Sequence, residues 1–74
     1  MAQADRTRVE ELTRREWDVS RLLCRGCSAK NIAAELGVSV HTVRRHMEHI
    51  YKKLNAQCRV VAVIRILEAV QSGH

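Results

Sequence analysis

The chain has 74 residues and a formal net charge of +5 at pH 7, which is the size of one small domain with a modest core and a charge that favours an anionic partner. No stretch reaches the roughly 20 apolar residues of a membrane span, and no signal-peptide pattern opens the chain. We therefore expect a cytoplasmic domain with no membrane association.

The sequence divides into a polar start, a helical domain and a short tail. Residues 1–11, which include Arg6 and Arg8, are expected to form a flexible N-terminal segment, and residues 71–74 a tail. No run of alternating apolar residues suggests a strand, so we predict an all-α, four-helix domain over residues 12–70. Its helices are predicted over 14–25, 29–36, 40–54 and 59–70.

The first helix opens with Thr13 and Glu16, which have the spacing of a capping box, and Gly26 is placed to end it. The apolar stripe that faces the core comprises Val19, Leu22 and Leu23. Trp17 projects away from this stripe. Two interpretations stay open for it: an indole that lies over its own helix, or part of an interaction patch.

Three residues join the second and third helices, which forces a sharp crossing between them. Ser28 can cap the second helix, Gly37 can adopt the positive φ that ends it, and Ser39 can cap the third helix. Val38 is apolar and can anchor the turn in the core. This arrangement predicts a central helix-turn-helix, the unit that places a helix in the DNA major groove.

The third helix separates into an apolar and a basic face at about 100° per residue. Its apolar stripe comprises Val43, Met47, Ile50 and Leu54. The opposite arc carries His41, Arg44, Arg45, Glu48, His49, Lys52 and Lys53. Most charged runs are simply solvated helix faces. The preceding helix, the glycine turn and the basic bias together favour contact with DNA.

The fourth helix is apolar on two nearly opposite faces. One face, predicted to lie on the core, comprises Ala62, Val63, Ile66, Ala69 and Val70. The other comprises Val60, Ile64 and Leu67. A domain of this size cannot bury both faces, so we predict that the second is a homodimer interface. The alternative is that the N-terminal segment covers it.

Three segments of the chain resemble one known family. They are Leu12-Thr13-Arg14-Arg15-Glu16-x-x-Val19, Gly26-x-Ser28-x-Lys30-x-Ile32-Ala33-x-x-Leu36-Gly37-x-Ser39-x-x-Thr42-Val43-Arg44-x-His46-x-x-x-Ile50-Tyr51-x-Lys53-Leu54, and Arg59-x-x-Ala62-Val63. Together they resemble the LuxR/FixJ/GerE-type DNA-binding domain over residues 12–70. The resemblance implies a four-helix domain whose third helix reads the major groove and whose fourth helix forms the dimer contact.

Carried over position by position, the resemblance implies that Arg44 and Arg45 contact bases or phosphates. It also implies backbone contacts at the positions Ser28–Lys30, Thr42 and Lys53. The polar arc of the third helix adds further candidates, and the complete predicted DNA-binding set is Ser28, Lys30, His41, Thr42, Arg44, Arg45, His49, Lys52 and Lys53.

Two positions depart from the family's pattern in ways that bear on the prediction. Glu48 stands where several relatives carry a basic or small polar residue, which argues against a phosphate contact there. Cys58 stands where a helix cap such as asparagine or serine is usual, and a thiol caps poorly. The fourth helix is also unusually apolar at Val60 and Val61, where relatives are often polar.

The three cysteines, Cys24, Cys27 and Cys58, are an odd number in a chain without a secretory signal, so we expect no structural disulfide. Cys24-x-x-Cys27 has the spacing of metal ligands, but no second ligand pair accompanies it. We expect packing thiols, no metal and no cofactor; a zinc or thiol sensor stays as an alternative. No nucleophile–base arrangement or phosphate-binding loop suggests an enzyme.

The sequence therefore predicts a sequence-specific regulator of transcription that binds double-stranded DNA as a dimer, with RNA polymerase as a further candidate partner. Two alternatives are a promoter-reading module like region 4 of a sigma factor and a helical protein-interaction module without DNA binding. The chain begins with methionine and has no room for a receiver or ligand-binding domain. We expect either a free-standing, GerE-like protein or an excised effector domain.

Overall fold

The computed structural model describes residues 9–71, so the expectations for residues 1–8 and for the end of the tail, 72–74, lie outside the described residues. A short 3-10 turn, Val9–Glu11, precedes four helices: α1 (Arg14–Cys24), α2 (Ala29–Leu36), α3 (Val40–Lys53) and α4 (Arg59–Gln71). The part of the chain described here contains no strand, and the all-α prediction is confirmed.

Local hydrogen bonds set the beginnings of three helices. The Glu16 backbone N–H donates to Thr13 Oγ1 at 3.1 Å, and Thr13 N–H donates to Glu16 Oε1 at 3.0 Å, which is the predicted capping box. Ser28 and Ser39 likewise accept from backbone N–H groups in the first turns of α2 and α3. Each cap satisfies a donor that the helix itself leaves unpaired.

Gly37 ends α2 in the left-handed region, with φ of 71°. The N–H groups of Gly37 and Val38 both donate to Ala33 O, which closes the last turn of the helix. A Cβ atom at Gly37 would meet nothing within 4 Å. The requirement for glycine therefore comes from the backbone conformation and not from crowding.

The core lies where the apolar faces of all four helices meet. Its most deeply buried apolar side chains include Val19, Leu23, Ile32, Val43, Ile50, Leu54, Ala62 and Ile66. Trp17 is half-buried and packs against this cluster, and Val38 anchors the turn between α2 and α3 in the same way. The indole thus contributes to the packing of the core, although the sequence predicts that Trp17 projects away from it.

Two assignments at the limits of the core were wrong. Val70, predicted to face the core, is 53% exposed, because Ile66 is the last fully buried residue of α4 and the helix continues past the apolar cluster. Val9 was placed in the flexible segment, yet it is buried in the core as part of the 3-10 turn. An apolar side chain next to the edge of the core is stabilised when it packs there, because its apolar surface and that of the core are removed from water.

Arg59 fastens the start of α4 to the end of α1. Its Nη2 atom donates to the Leu23 carbonyl at 3.4 Å and to the Cys27 carbonyl. The Leu23 carbonyl lies in the last turn of α1, where a cation is favoured because the last carbonyls of a helix carry partial negative charge. The Cys27 carbonyl lies in the loop between α1 and α2. The sequence does not predict this contact, because it indicates Arg59 only as part of the segment that resembles the family.

The Cys24 thiol is half-buried and lies near Arg59. Burial raises the pKa of the Cys24 thiol, and the nearby positive charge of Arg59 opposes that rise only in part. A raised pKa keeps the thiol protonated and disfavours the reactive thiolate. Among residues 9–71 no group of three or more histidine, cysteine or acidic side chains is placed to hold a metal ion.

Candidate nucleic-acid interface

The helix-turn-helix is fixed to the core from one side. Ile32 and Ala33 of α2 and Val43 and Ile50 of α3 are all buried in the same apolar cluster. Since the buried stripe of α3 faces this cluster, the opposite face of the helix is directed to solvent. The fold therefore presents α3 on a packed support, as a helix that enters a DNA groove requires.

The outer face of α3 is exposed and basic. Its exposed side chains are His41, Arg44, Arg45, Glu48, His49 and Lys52. Three of these carry a permanent positive charge and one carries a negative charge, so the face favours phosphate groups. The structure thus brings five of the nine predicted DNA-binding residues together on one surface.

The start of α2 contributes a second group of predicted residues. Ser28 and Lys30 are exposed there. The Ser28 hydroxyl already donates to Asn31 Oδ1 at 2.9 Å while it caps the helix. Lys30 extends its positive charge beside the N-terminal end of the helix, a position that attracts anions through the backbone N–H groups and the helix dipole.

Thr42 takes part in capping α3. Its side chain is half-buried, and its Oγ1 atom accepts a hydrogen bond from the Ser39 hydroxyl at 2.9 Å. The predicted backbone contact of Thr42 with DNA would therefore share this oxygen with the cap.

Lys53 differs from the other predicted cations because an intramolecular partner holds it. Its Nζ atom lies 2.7 Å from Glu16 Oε1 and 2.9 Å from the Glu11 carbonyl oxygen, and 26% of its side chain is exposed. The ammonium thus joins the end of α3 to α1 and the 3-10 turn. Its contact with DNA stays a prediction, but the structure gives its charge another use.

Glu16 is the buried centre of this connection. Burial raises the pKa of the carboxyl, but the hydrogen bonds from Lys53 and from the Thr13 N–H, with the charges of Lys53 and His49, outweigh that effect and hold the pKa below its ordinary 4.5. We assigned Glu16 only to the capping box. The contact with Lys53 spans 37 residues of sequence, so no local pattern indicates it.

His49 also faces this carboxylate. Its Nδ1 atom lies 3.7 Å from Glu16 Oε2, while 55% of the His49 side chain is exposed. His49 is therefore the predicted DNA-binding residue that touches both the outer face of α3 and the buried anchor behind it.

The second apolar face of α4 is open to solvent. Val60, Ile64, Leu67 and Val70 are 65%, 49%, 45% and 53% exposed. They recur on one side of the helix at intervals of three and four residues, which continues the predicted stripe by one turn to Val70. Within residues 9–71, no helix is both long and apolar enough to span a bilayer.

The chain matches the GerE family model, described as "Bacterial regulatory proteins, luxR family", over residues 10–66. The chain belongs to the LuxR family. Its domain is a helix-turn-helix, DNA-binding domain of transcription regulators, which is not a class of enzyme. The exposed face of α3 is the outer face of the second helix in that motif.

Curated relatives of this LuxR-family domain are regulators. The chain is 44% identical over 57 residues to the nitrate/nitrite response regulator protein NarP of Escherichia coli (strain K12), covering 77% of the chain and 26% of the relative. It is 40% identical over 60 residues to a homologous response regulator of Haemophilus influenzae (strain ATCC 51907 / DSM 11121 / KW20 / Rd), covering 81% and 29%. It is 40% identical over 57 residues to the HTH-type transcriptional regulator MalT of Vibrio campbellii (strain ATCC BAA-1116), covering 77% and 6%. The chain thus spans less than a third of each relative.

Proposed function

We propose that this domain binds a specific sequence of double-stranded DNA in the cytoplasm as a homodimer, with α3 in the major groove, and so regulates transcription. The observation that carries the proposal is the exposed basic face of α3, in a helix-turn-helix whose other side packs on the core of a LuxR-family domain. The family membership favours this function over a sigma-type module or a protein-interaction module.

The proposed contacts divide into base readout and phosphate positioning. Arg44 and Arg45 are adjacent and exposed on α3, and the planar fork of an arginine side chain matches O6 and N7 of guanine. Lys30 and Lys52 would neutralise phosphates on either side of the groove. We assign Lys53 to holding α3 in place, because Glu16 already compensates its charge.

The proposed dimer uses the exposed stripe of α4 defined by Val60, Ile64, Leu67 and Val70. In a symmetric pair each stripe would meet its own copy across a two-fold axis. One helix pair buries little area, so the dimer should be weak without DNA. Two half-sites on one duplex would hold the two domains at a high effective concentration and strengthen the contact.

Selection of bound fragments from random duplex DNA tests the proposed function. We expect an enriched, two-fold symmetric sequence. The logarithm of the binding constant K of the domain for this duplex, measured by fluorescence anisotropy, should fall linearly with the logarithm of the salt concentration. A scrambled duplex of equal length is the control. A pool without enrichment, or binding with no salt dependence, would contradict the proposal and favour a protein-interaction role.

Replacing Arg44 with alanine is expected to weaken binding to the selected duplex by about 1–3 kcal/mol, since a bidentate base contact is lost. Binding to the scrambled duplex should weaken much less, and preference at one base pair should relax. Affinities for both duplexes at one salt concentration measure this. An equal loss on both would show that Arg44 contacts only phosphate.

Lys52 and Lys53 should separate in a salt titration. Lys52→Met is expected to reduce the slope of log K against log salt by about one, because one phosphate contact is removed. Lys53→Met, which removes an already compensated charge, should change the slope by clearly less, provided that measurements are made where the variant is folded. Equal changes in the two slopes would show that Lys53 leaves Glu16 to bind phosphate.

A further inference from the structure

The two oxygens of the Glu16 carboxylate have different partners. Oε1 accepts from the Thr13 N–H at 3.0 Å and from Lys53 Nζ at 2.7 Å. Oε2 faces the Nδ1 atom of His49 at 3.7 Å. The carboxylate therefore serves the fold through one oxygen and faces the proposed DNA interface through the other.

The arrangement gives the two nitrogens of the His49 ring different surroundings. Nδ1 is directed to a buried carboxylate, while Nε2, on the far side of the ring, is directed away from it. The side chain is 55% exposed on the outer face of α3. In a neutral imidazole only one nitrogen carries a proton. With that proton on Nδ1, toward Glu16, Nε2 is an acceptor and cannot donate to a phosphate oxygen.

On the basis of the proposed DNA binding, we propose that Glu16 is a positioning residue that couples DNA binding to the uptake of one proton by His49. The proton comes from solvent and binds Nε2, which then donates to a backbone phosphate while Nδ1–H remains directed to Glu16. The imidazolium lies between two anions, the carboxylate behind it and the phosphate in front. An anion close to the imidazole ring stabilises the charged form of a histidine.

Positive side chains also lie near His49 on its own helix and at the Glu16 carboxylate. On its own helix, Arg45 is one turn before it and Lys52 is one turn after it, and helix neighbours at these spacings interact. Lys53 also lies on the carboxylate, held by the Glu11 carbonyl of the 3-10 turn. Bound phosphates would compensate the exposed cations. Protonation is then more favourable in the complex than in the free domain, so lower pH strengthens binding.

The test measures affinity for the selected duplex at about pH 6 and about pH 8, across the range in which histidines change charge. The wild-type protein is expected to bind about five- to tenfold more weakly at the higher pH. His49→Gln should remove this dependence. Glu16→Gln retains an oxygen for Thr13 and Lys53 and replaces Oε2 with an amide group that does not stabilise an imidazolium, so it should flatten the dependence as well. His46→Gln, at a half-buried histidine of the same helix outside the predicted DNA-binding set, is the matched control and should retain it.

Two measurements separate this coupling from a merely structural effect. Calorimetry in two buffers of different protonation enthalpy counts the protons taken up on binding, and we expect one fewer for His49→Gln. Nitrogen NMR of the His49 ring should show the Nδ1–H form in the free wild-type domain. An Nε2–H form, or unchanged proton uptake in His49→Gln, would overturn the inference even if Glu16→Gln did not fold. Specific binding with the same affinity at both pH values would overturn the coupling alone, whereas no binding at either pH would overturn the proposed function.

Discussion

Replacing Ile64 with glutamate is expected to abolish cooperative binding to a two-fold symmetric duplex and to leave the fold intact. Ile64 is 49% exposed near the middle of the α4 stripe, with Val60 one turn before it and Leu67 one turn after it. In a symmetric dimer the new carboxylates would lie close to each other in an apolar seam, where like charges are strongly disfavoured. The helix keeps its core face, which includes Ala62 and Ile66.

The expected loss is large because the dimer contact acts through effective concentration. We expect affinity for the full site to fall by about 100-fold, while weak binding to a half-site changes little. Shift assays on both duplexes, sedimentation and circular dichroism measure this. Gln57→Glu adds the same charge at an exposed position just before α4 and is the control. Cooperative binding by Ile64→Glu would remove the proposed interface, and an unfolded variant would show that Ile64 supports the core.

Lys53→Met is expected to lower the free energy of unfolding by about 2–3 kcal/mol at neutral pH, because Glu16 keeps its charge at a buried position without its main partner. The effect should fall below that of a fully buried pair, since Lys53 is 26% exposed. Lys52→Met, at the neighbouring and exposed position of the same helix, should stay within about 0.5 kcal/mol of the wild type.

This loss should depend on pH in a defined direction. The folded-state pKa of Glu16 lies below its ordinary 4.5, so its interactions stabilise the protein above that pH, and the stabilisation is lost as pH falls through the folded-state pKa. Below pH 4.5 the gap between wild type and Lys53→Met should therefore narrow. Urea unfolding across the acidic range measures it. A gap that stays constant with pH would show that Lys53 acts through packing of its alkyl chain.

Features that depend on neighbouring residues could be predicted from the sequence. The box of Thr13 and Glu16, the caps Ser28 and Ser39 and the stop at Gly37 all lie within one or two helical turns of the groups they satisfy. These contacts indicate where the helices begin and end. The helical periodicity of α3 separates its buried face from its exposed face. The exposed stripe of α4 followed from the same reasoning, because a small core cannot cover both sides of a helix.

Features that depend on distant residues could not be predicted. Lys53 and Glu16 are 37 residues apart, and Arg59 reaches a carbonyl 36 residues before it. A helical wheel gives the direction of a side chain but not the extent of the core. For that reason the sequence predicts Val70 inside the core and Val9 outside it, and the structure shows the reverse.

The side chains that secure α3 and those that would read DNA are almost entirely different residues. The helix is held on the core by the buried side chains of Val43, Ile50 and Leu54, and its end is held by Lys53. Arg44 and Arg45 lie on the opposite, exposed side. The outer face can therefore diverge toward new target sequences, in evolution or by engineering, with little effect on whether the domain folds. His49 lies on the outer face and next to Glu16, so under the proposed coupling a substitution there would change both the affinity for DNA and its dependence on pH.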